Sequence, residues 1–136
     1  MNWNRARTPR VSVEEILIMQ YMLLCCINED RWQGLDERER DGVMQDYGTW
    51  MRELDESGNH VLSRRLQPSA TAATVRGNPG KPSVVDGPFA ETKEQIGGFH
   101  LVNAANLEEA VAVAERIPTL RVGGTIEVRA LRPESL

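Results

Sequence analysis

Residues 20–27, Gln20-Tyr21-Met22-Leu23-Leu24-Cys25-Cys26-Ile27, are apolar almost without interruption and lack the alternation of a half-buried strand. A short unbroken apolar run predicts a strand covered on both faces, hence central in its sheet. Asn28 to Gly34 is polar and reads as a connection. Asp36 followed by Glu39 has the spacing of a capping box, in which the two side chains satisfy backbone N–H groups at a helix start. Val43, Met44, Tyr47, Trp50, Met51 and Leu54 then keep a helical stripe, and Gly58 can supply a left-handed terminal turn. The pattern predicts a first helix from about Asp36 to Ser57.

Three extended segments follow. His60–Leu66 and Ala72–Arg76 flank Gln67-Pro68-Ser69, and Pro82–Asp86 comes after a turn at Asn78-Pro79-Gly80-Lys81. Asp86-Gly87-Pro88-Phe89 is a further break, and Gly98–Ala104 is another strand. Asn106 with Glu109 repeats the capping signal. Leu107, Ala110, Val111, Ala114 and Ile117 mark one face of a second helix that stops at Pro118. Gly124–Leu131 alternates, with Ile126, Val128 and Ala130 on one face and Thr125, Glu127 and Arg129 on the other.

This order predicts an α+β fold: one ferredoxin-like antiparallel sheet with two helices on one face. Phe99 and Leu101 are expected to face the helices, which puts His100 on the open face with Thr125, Glu127 and Arg129. A central strand apolar on both sides cannot leave its second face in water. Stacking two such sheets in a homodimer is the economical cover.

The chain has 136 residues, room for one domain. Its net charge of −4 and the lack of a basic stripe argue against direct nucleic-acid binding. Arg5, Arg7 and Arg10 read as a solvated cluster. Cys25 and Cys26 are adjacent in a strand, so their side chains diverge and read as small apolar packing in a reducing compartment. No apolar run reaches the ~20 residues of a membrane span, and Met1-Asn2-Trp3-Asn4-Arg5 lacks a signal peptide's apolar core, so a cytoplasmic location is expected. Neither His60 nor His100 has metal-site spacing, and there is no nucleophile elbow, phosphate loop or dinucleotide fingerprint. No metal and no cofactor are expected.

One run stands out: Val85-Asp86-Gly87-Pro88-Phe89-Ala90-Glu91-Thr92-Lys93-Glu94-Gln95-Ile96-Gly97-Gly98-Phe99. With Tyr21-Met22-Leu23-Leu24, Leu66-Gln67-Pro68, Ala73-Thr74-Val75-Arg76 and Gly124-Thr125-Ile126-Glu127-Val128-Arg129, it resembles the YCII-related, DGPF-domain proteins across about residues 19–131. The resemblance divides the chain into an N-terminal extension, 1–18, and a domain, 19–136. It implies a dimeric ferredoxin-like fold assembled as a dimeric α/β barrel. Many genes of the family sit beside extracytoplasmic-function sigma factors, which implies a sigma factor as a regulatory partner. Related proteins include a proposed dehydrochlorinase and have been suggested to use a His–Asp pair. Tyr47 stands where that histidine aligns, so the pair does not carry over intact.

Asp86-Gly87-Pro88-Phe89 has a structural reading as a turn, with Asp capping, Gly taking unusual angles and Phe89 anchoring the loop in the core. Its functional reading places Asp86, Glu91 and Lys93 around a cleft, a carboxylate acting as general base beside a cation. The candidate catalytic residues are therefore Asp86, Tyr47 and His100, and the candidate ligand-binding residues Glu91, Lys93, Glu127 and Arg129. His60 reads only as a favourable charge near a helix C-terminus. Two functions stand open: a dimeric small-ligand-binding or regulatory module working with a sigma factor, or a cofactor-independent isomerase or lyase using a carboxylate base in a dimer cleft.

Overall fold

A computed structural model describes residues 19–133; the expected extension of residues 1–18 lies outside the described residues. Six strands and three α-helices follow in the order β1 (Met19–Asn28), α1 (Glu29–Gly34), α2 (Glu37–Glu56), β2 (His60–Arg65), β3 (Ala73–Arg76), β4 (Ser83–Asp86), β5 (Glu94–Ala104), α3 (Leu107–Ala114) and β6 (Thr125–Ala130). Single 3-10 turns occupy Ser69–Thr71 and Pro118–Val122. The architecture is α+β, as the alternating pattern predicts.

The strands do not join one sheet. Four form an antiparallel sheet in the order β2-β5-β1-β6, while β3 and β4 pair only with each other. With α2 and α3, the four-stranded sheet has the β–α–β–β–α–β order of a split βαβ unit. β1 is central, as its unbroken apolar run requires.

Boundaries also differ from the pattern: α3, expected to run to Pro118, ends at Ala114, and two further differences change an element. Asn28–Gly34, expected as a connection, contains α1: Asn28 Oδ1 accepts from the Arg31 N–H at 3.0 Å, a side-chain cap hidden in a polar stretch. The expected strand at Gly98 begins four residues earlier, at Glu94. Polar residues at 94 and 95 are tolerated because that end of the strand is exposed or half-exposed.

α2 and α3 cover one face of the four-stranded sheet. Asp36 caps α2 by accepting from the Glu39 N–H at 2.7 Å, and Asn106 caps α3 through the Glu109 N–H at 2.9 Å. Trp50 and Leu54 of α2 and Ala110 and Ala114 of α3 pack with Tyr21, Leu23, Val102 and Ala104 in one core. Trp50 Nε1 also donates to the Val113 carbonyl at 3.2 Å, tying the helices together. Full burial of Leu23 alone contributes roughly 1.5–3 kcal/mol.

The core face of the sheet includes His100. Leu23 is opposite both His100 and Val128 in the ladders, so all three share the helix-covered side. This overturns the expected placement of His100 with Thr125, Glu127 and Arg129. The expectation took aromatic Phe99 as the inward residue, but Trp50 and Tyr47 cover the imidazole. Phe99 and Leu101 stand on the other face with Met22 and Leu24, all half-buried in the single chain.

Candidate acid–base site

Tyr47, Trp50 and Leu54 recur at helical spacing and therefore face the sheet together. Trp50 packs edge-on against the His100 ring, centroids 4.8 Å apart, and Tyr47 lies at 5.7 Å from the same ring. Asp55 follows in the last turn of α2. Gly58, at φ 77°, reverses the chain where a side chain would be strained, so β2 starts beside that turn. His60, its first residue, thus reaches Asp55.

β2 then carries an irregularity that the sequence does not advertise. His60 faces Val102 and Ser63 faces His100, with the register shift between His60 and Leu62. In a regular strand residues three apart point to opposite faces. The bulge at Val61 absorbs one position and turns both His60 and Ser63 to the core face.

The result is a continuous hydrogen-bonded chain. Asp55 Oδ1 lies 2.5 Å from His60 Nδ1, and His60 Nε2 lies 2.6 Å from Ser63 Oγ. Ser63 Oγ is 2.6 Å from His100 Nδ1, and His100 Nε2 is 2.5 Å from Tyr47 Oη. Cys25 Sγ, from β1, stands 3.8 Å beyond Tyr47 Oη. An ionised carboxylate only accepts, and a neutral imidazole has one donor and one acceptor. With Asp55 as terminal acceptor, the directions follow: His60 Nδ1–H donates to Asp55, Ser63 O–H to His60, His100 Nδ1–H to Ser63, and Tyr47 O–H to His100.

Burial, and secondarily the charge of His60, push His100 down to about 4, so its imidazole is neutral near pH 7. Burial, with Cys25 adding to it, raises the Tyr47 phenol well above its ordinary value, while the positive charge of Arg65 acts the other way. Burial likewise pushes the Cys25 thiol up to about 11. The inner half of the chain is thus uncharged.

The Tyr47 end opens on a half-open cavity of about 800 Å³ between α1, the N-terminal half of α2 and the ends of β1, β2 and β5. Met44 and Trp32 give it apolar wall, and Arg65 gives it a cation. Gly98, opposite Arg65 and Cys25 in the ladders, leaves that wall without a side chain. A Cβ there would fall 2.8 Å from the Arg64 carbonyl oxygen, so glycine also allows β2 to approach. Glu29 of α1 accepts from both the N–H and the hydroxyl of Ser69, closing the far wall, and these bonds, the hydroxyl's first, lower its carboxyl below the ordinary range.

Of the residues picked out from the sequence, Tyr47 and His100 meet here. The others do not line this cavity. Asp86 ends β4 opposite Ala73, exposed, and its carboxylate has no hydrogen-bond partner among the described residues. Glu91 and Lys93 are exposed in the following loop. Glu127 and Arg129 pair with each other on the open face of the sheet. The DGPF turn is held at Gly87, which at φ 97° donates its N–H to the Ala72 carbonyl at 2.7 Å and accepts from the Thr74 hydroxyl at 2.8 Å. Phe89, expected to anchor the loop in the core, is instead exposed beneath the Arg76 guanidinium, so these bonds and not apolar burial fix the turn. His60, Ser63 and Asp55 were missed. The available signal was an Asp-x4-His-x-x-Ser spacing, which points to one site only if a bulge is assumed.

Among the described residues no three His, Cys, Asp or Glu side chains converge to hold a metal ion. The YCII-related domain family model matches residues 19–135. The chain belongs to the YCII-related family. This YCII-related protein is also 39% identical, over 114 residues, to an uncharacterized protein of Rhizobium meliloti (strain 1021), a match covering 83% of this chain and 92% of that one. In this YCII-related domain the hydroxyl of Tyr47 is joined to His100, not to an aspartate.

Proposed function

We propose that the cavity is the active site of a cofactor-independent isomerase or lyase in which Tyr47 exchanges a proton with a small organic molecule. The observation that carries this reading is the 2.5 Å bond between Tyr47 Oη and the acceptor nitrogen of His100 at the cavity wall. A phenol joined to a neutral imidazole can take a proton from substrate while passing its own onward, which avoids a free phenolate in a buried site. Arg65 beside Tyr47 favours an anionic substrate, and Met44 and Trp32 favour one with an apolar body.

The test is exchange of carbon-bound hydrogen. A panel of small enolisable carboxylates in deuterated buffer is followed by NMR with the parent protein and with Tyr47→Phe. The reading expects deuterium uptake in at least one compound and a loss of about 10²–10⁴-fold in the variant. Equal uptake by parent and variant, or no uptake above buffer across the panel, counts against it.

A second reading, a binding or regulatory module, is favoured by a different observation. The β3–β4 hairpin exposes Val75 and Val84, opposite each other in its ladder, at 66% and 68% of their full surface, and the turn after it exposes Phe89 at 74%. Exposed apolar side chains of this kind suit a protein partner, a sigma factor included. A homodimer is supported by the open sheet face, where Met22, Leu24, Phe99 and Leu101 are apolar and only half-buried. Sedimentation and a sigma-factor pull-down test these assemblies.

A further inference from the structure

The inner members of the chain are poor places to leave a positive charge. His100 is 6% exposed, and an imidazolium there is disfavoured by burial and by His60. His60 is half-buried, outside the cavity lining, and its Nδ1 is bonded to the exposed carboxylate of Asp55. Of the two histidines, only His60 has a counter-ion. The titratable groups on either side of it in the chain are Asp55 from α2 and His100 from β5, with Tyr47 from α2 and Cys25 from β1 beyond them.

We propose that His60, held by Asp55, is the proton store of the cavity, acting on Tyr47 through Ser63 and His100; this rests on the acid–base reading above. The transfer balances without any other reactant. Substrate gives a proton to Tyr47 Oη and keeps the electron pair of the broken bond. Tyr47 passes its own proton to His100 Nε2, His100 releases the Nδ1 proton to Ser63 Oγ, and Ser63 releases its hydroxyl proton to His60 Nε2. The products are the substrate's conjugate base and a His60 imidazolium paired with Asp55. Every hydrogen bond has then reversed: His60 donates to Ser63, Ser63 to His100, and His100 Nε2–H to Tyr47, whose hydroxyl now points into the cavity. The same chain is a base when His60 is neutral and an acid when His60 is charged. Return of the proton to another atom of the substrate completes an isomerisation. His60 and Asp55 are positioning residues in this scheme, since both lie outside the cavity lining, while Ser63 stands on the cavity wall and relays the proton.

The reversal has a signature in the protein without ligand. When His60 is neutral, His100 carries its proton on Nδ1; when His60 is charged, His100 carries it on Nε2. Ring-nitrogen NMR shifts distinguish the two tautomers. Titration of the full chain is expected to show His100 changing tautomer as His60 takes up its proton, with His100 still neutral. Ser63→Ala removes the bridging hydroxyl, and the His100 change is then lost while the His60 titration persists. Asp55→Asn keeps an acceptor for Nδ1–H without the charge, and it is expected to move the tautomer change to lower pH. A His100 that keeps one tautomer through the titration of His60, or a linkage that survives Ser63→Ala, overturns the proposal. Either result leaves the Tyr47 deuterium-exchange test standing, so the two failures are separable.

Discussion

The four-stranded body and the β3–β4 arm carry opposite kinds of information. The arm holds the most conspicuous sequence in the chain, Asp86-Gly87-Pro88-Phe89, yet it is exposed and held by hydrogen bonds to the Gly87 backbone and by Arg76 stacked 5.3 Å over Phe89. The body holds the hydrogen-bonded chain, whose members Asp55, His60, Ser63, His100 and Tyr47 stand in no compact motif. Turn chemistry concentrates special residues in a short stretch, because adjacent backbone angles must be specified together. Acid–base chemistry needs only that side chains meet, and tertiary packing can bring them from three elements. A vivid local motif therefore marks a local backbone problem more readily than it marks a site.

The largest effect separating the two regions is expected at Gly98. A Cβ at that position would meet backbone atoms of Arg64 and Arg65, which cannot yield as a flexible side chain would. Gly98→Ala should cost about 2–3 kcal/mol in urea unfolding and shift β2 amides in NMR spectra. If the cost is below about 0.5 kcal/mol, the body is as forgiving as the arm and the contrast fails.

The next effect is pH-dependent. His100 is pushed down to about 4 from the 6.5 expected of an unfolded chain. As pH falls below 6.5 the unfolded state binds the proton first, so stability is complete above that pH and is lost progressively down to about 4. The share of His100 is on the order of 3 kcal/mol. Since glutamine does not titrate, the difference between parent and His100→Gln should shrink across this window when urea midpoints are compared. A difference independent of pH would mean that the imidazole is not held neutral by the fold.

These expectations mark how far the sequence could be read. Caps at Asp36 and Asn106, the central β1 run and the β6 alternation were legible because each depends on neighbours within a few residues. The pairing of β3 with β4 alone was not, since strand partners are chosen by distant contacts that a local pattern leaves open. Tyr47 and His100 could be named as candidates from residue type. Their meeting, and the inclusion of His60 and Ser63, depended on which way His100 faced and on a bulge with no Gly or Pro to announce it.

The smallest effects belong to the arm. Phe89→Ser and Asp86→Asn should each change the stability of the single chain by no more than about 0.5 kcal/mol, because neither side chain is buried. A loss above 1 kcal/mol that grows with protein concentration would place the arm in an interface and sharpen the comparison into body against assembly.

The bulge at Val61 makes chain length itself a chemical variable. A one-residue change inside a regular strand turns the side chains beyond it to the other face. Here the bulge gives slack in one direction only: a deletion at Val61 would remove it and leave His60 and Ser63 two positions apart, on one face by simple alternation, so the chain of hydrogen bonds would keep its outlet. One residue added between Val61 and Leu62, with the bulge kept, would part those two side chains to opposite sides of the sheet, and the chain would end at His100. Descendants that differ only by such an insertion would retain every polar residue of the site and lose its outlet, so residue identity alone would misreport which of them kept the trait.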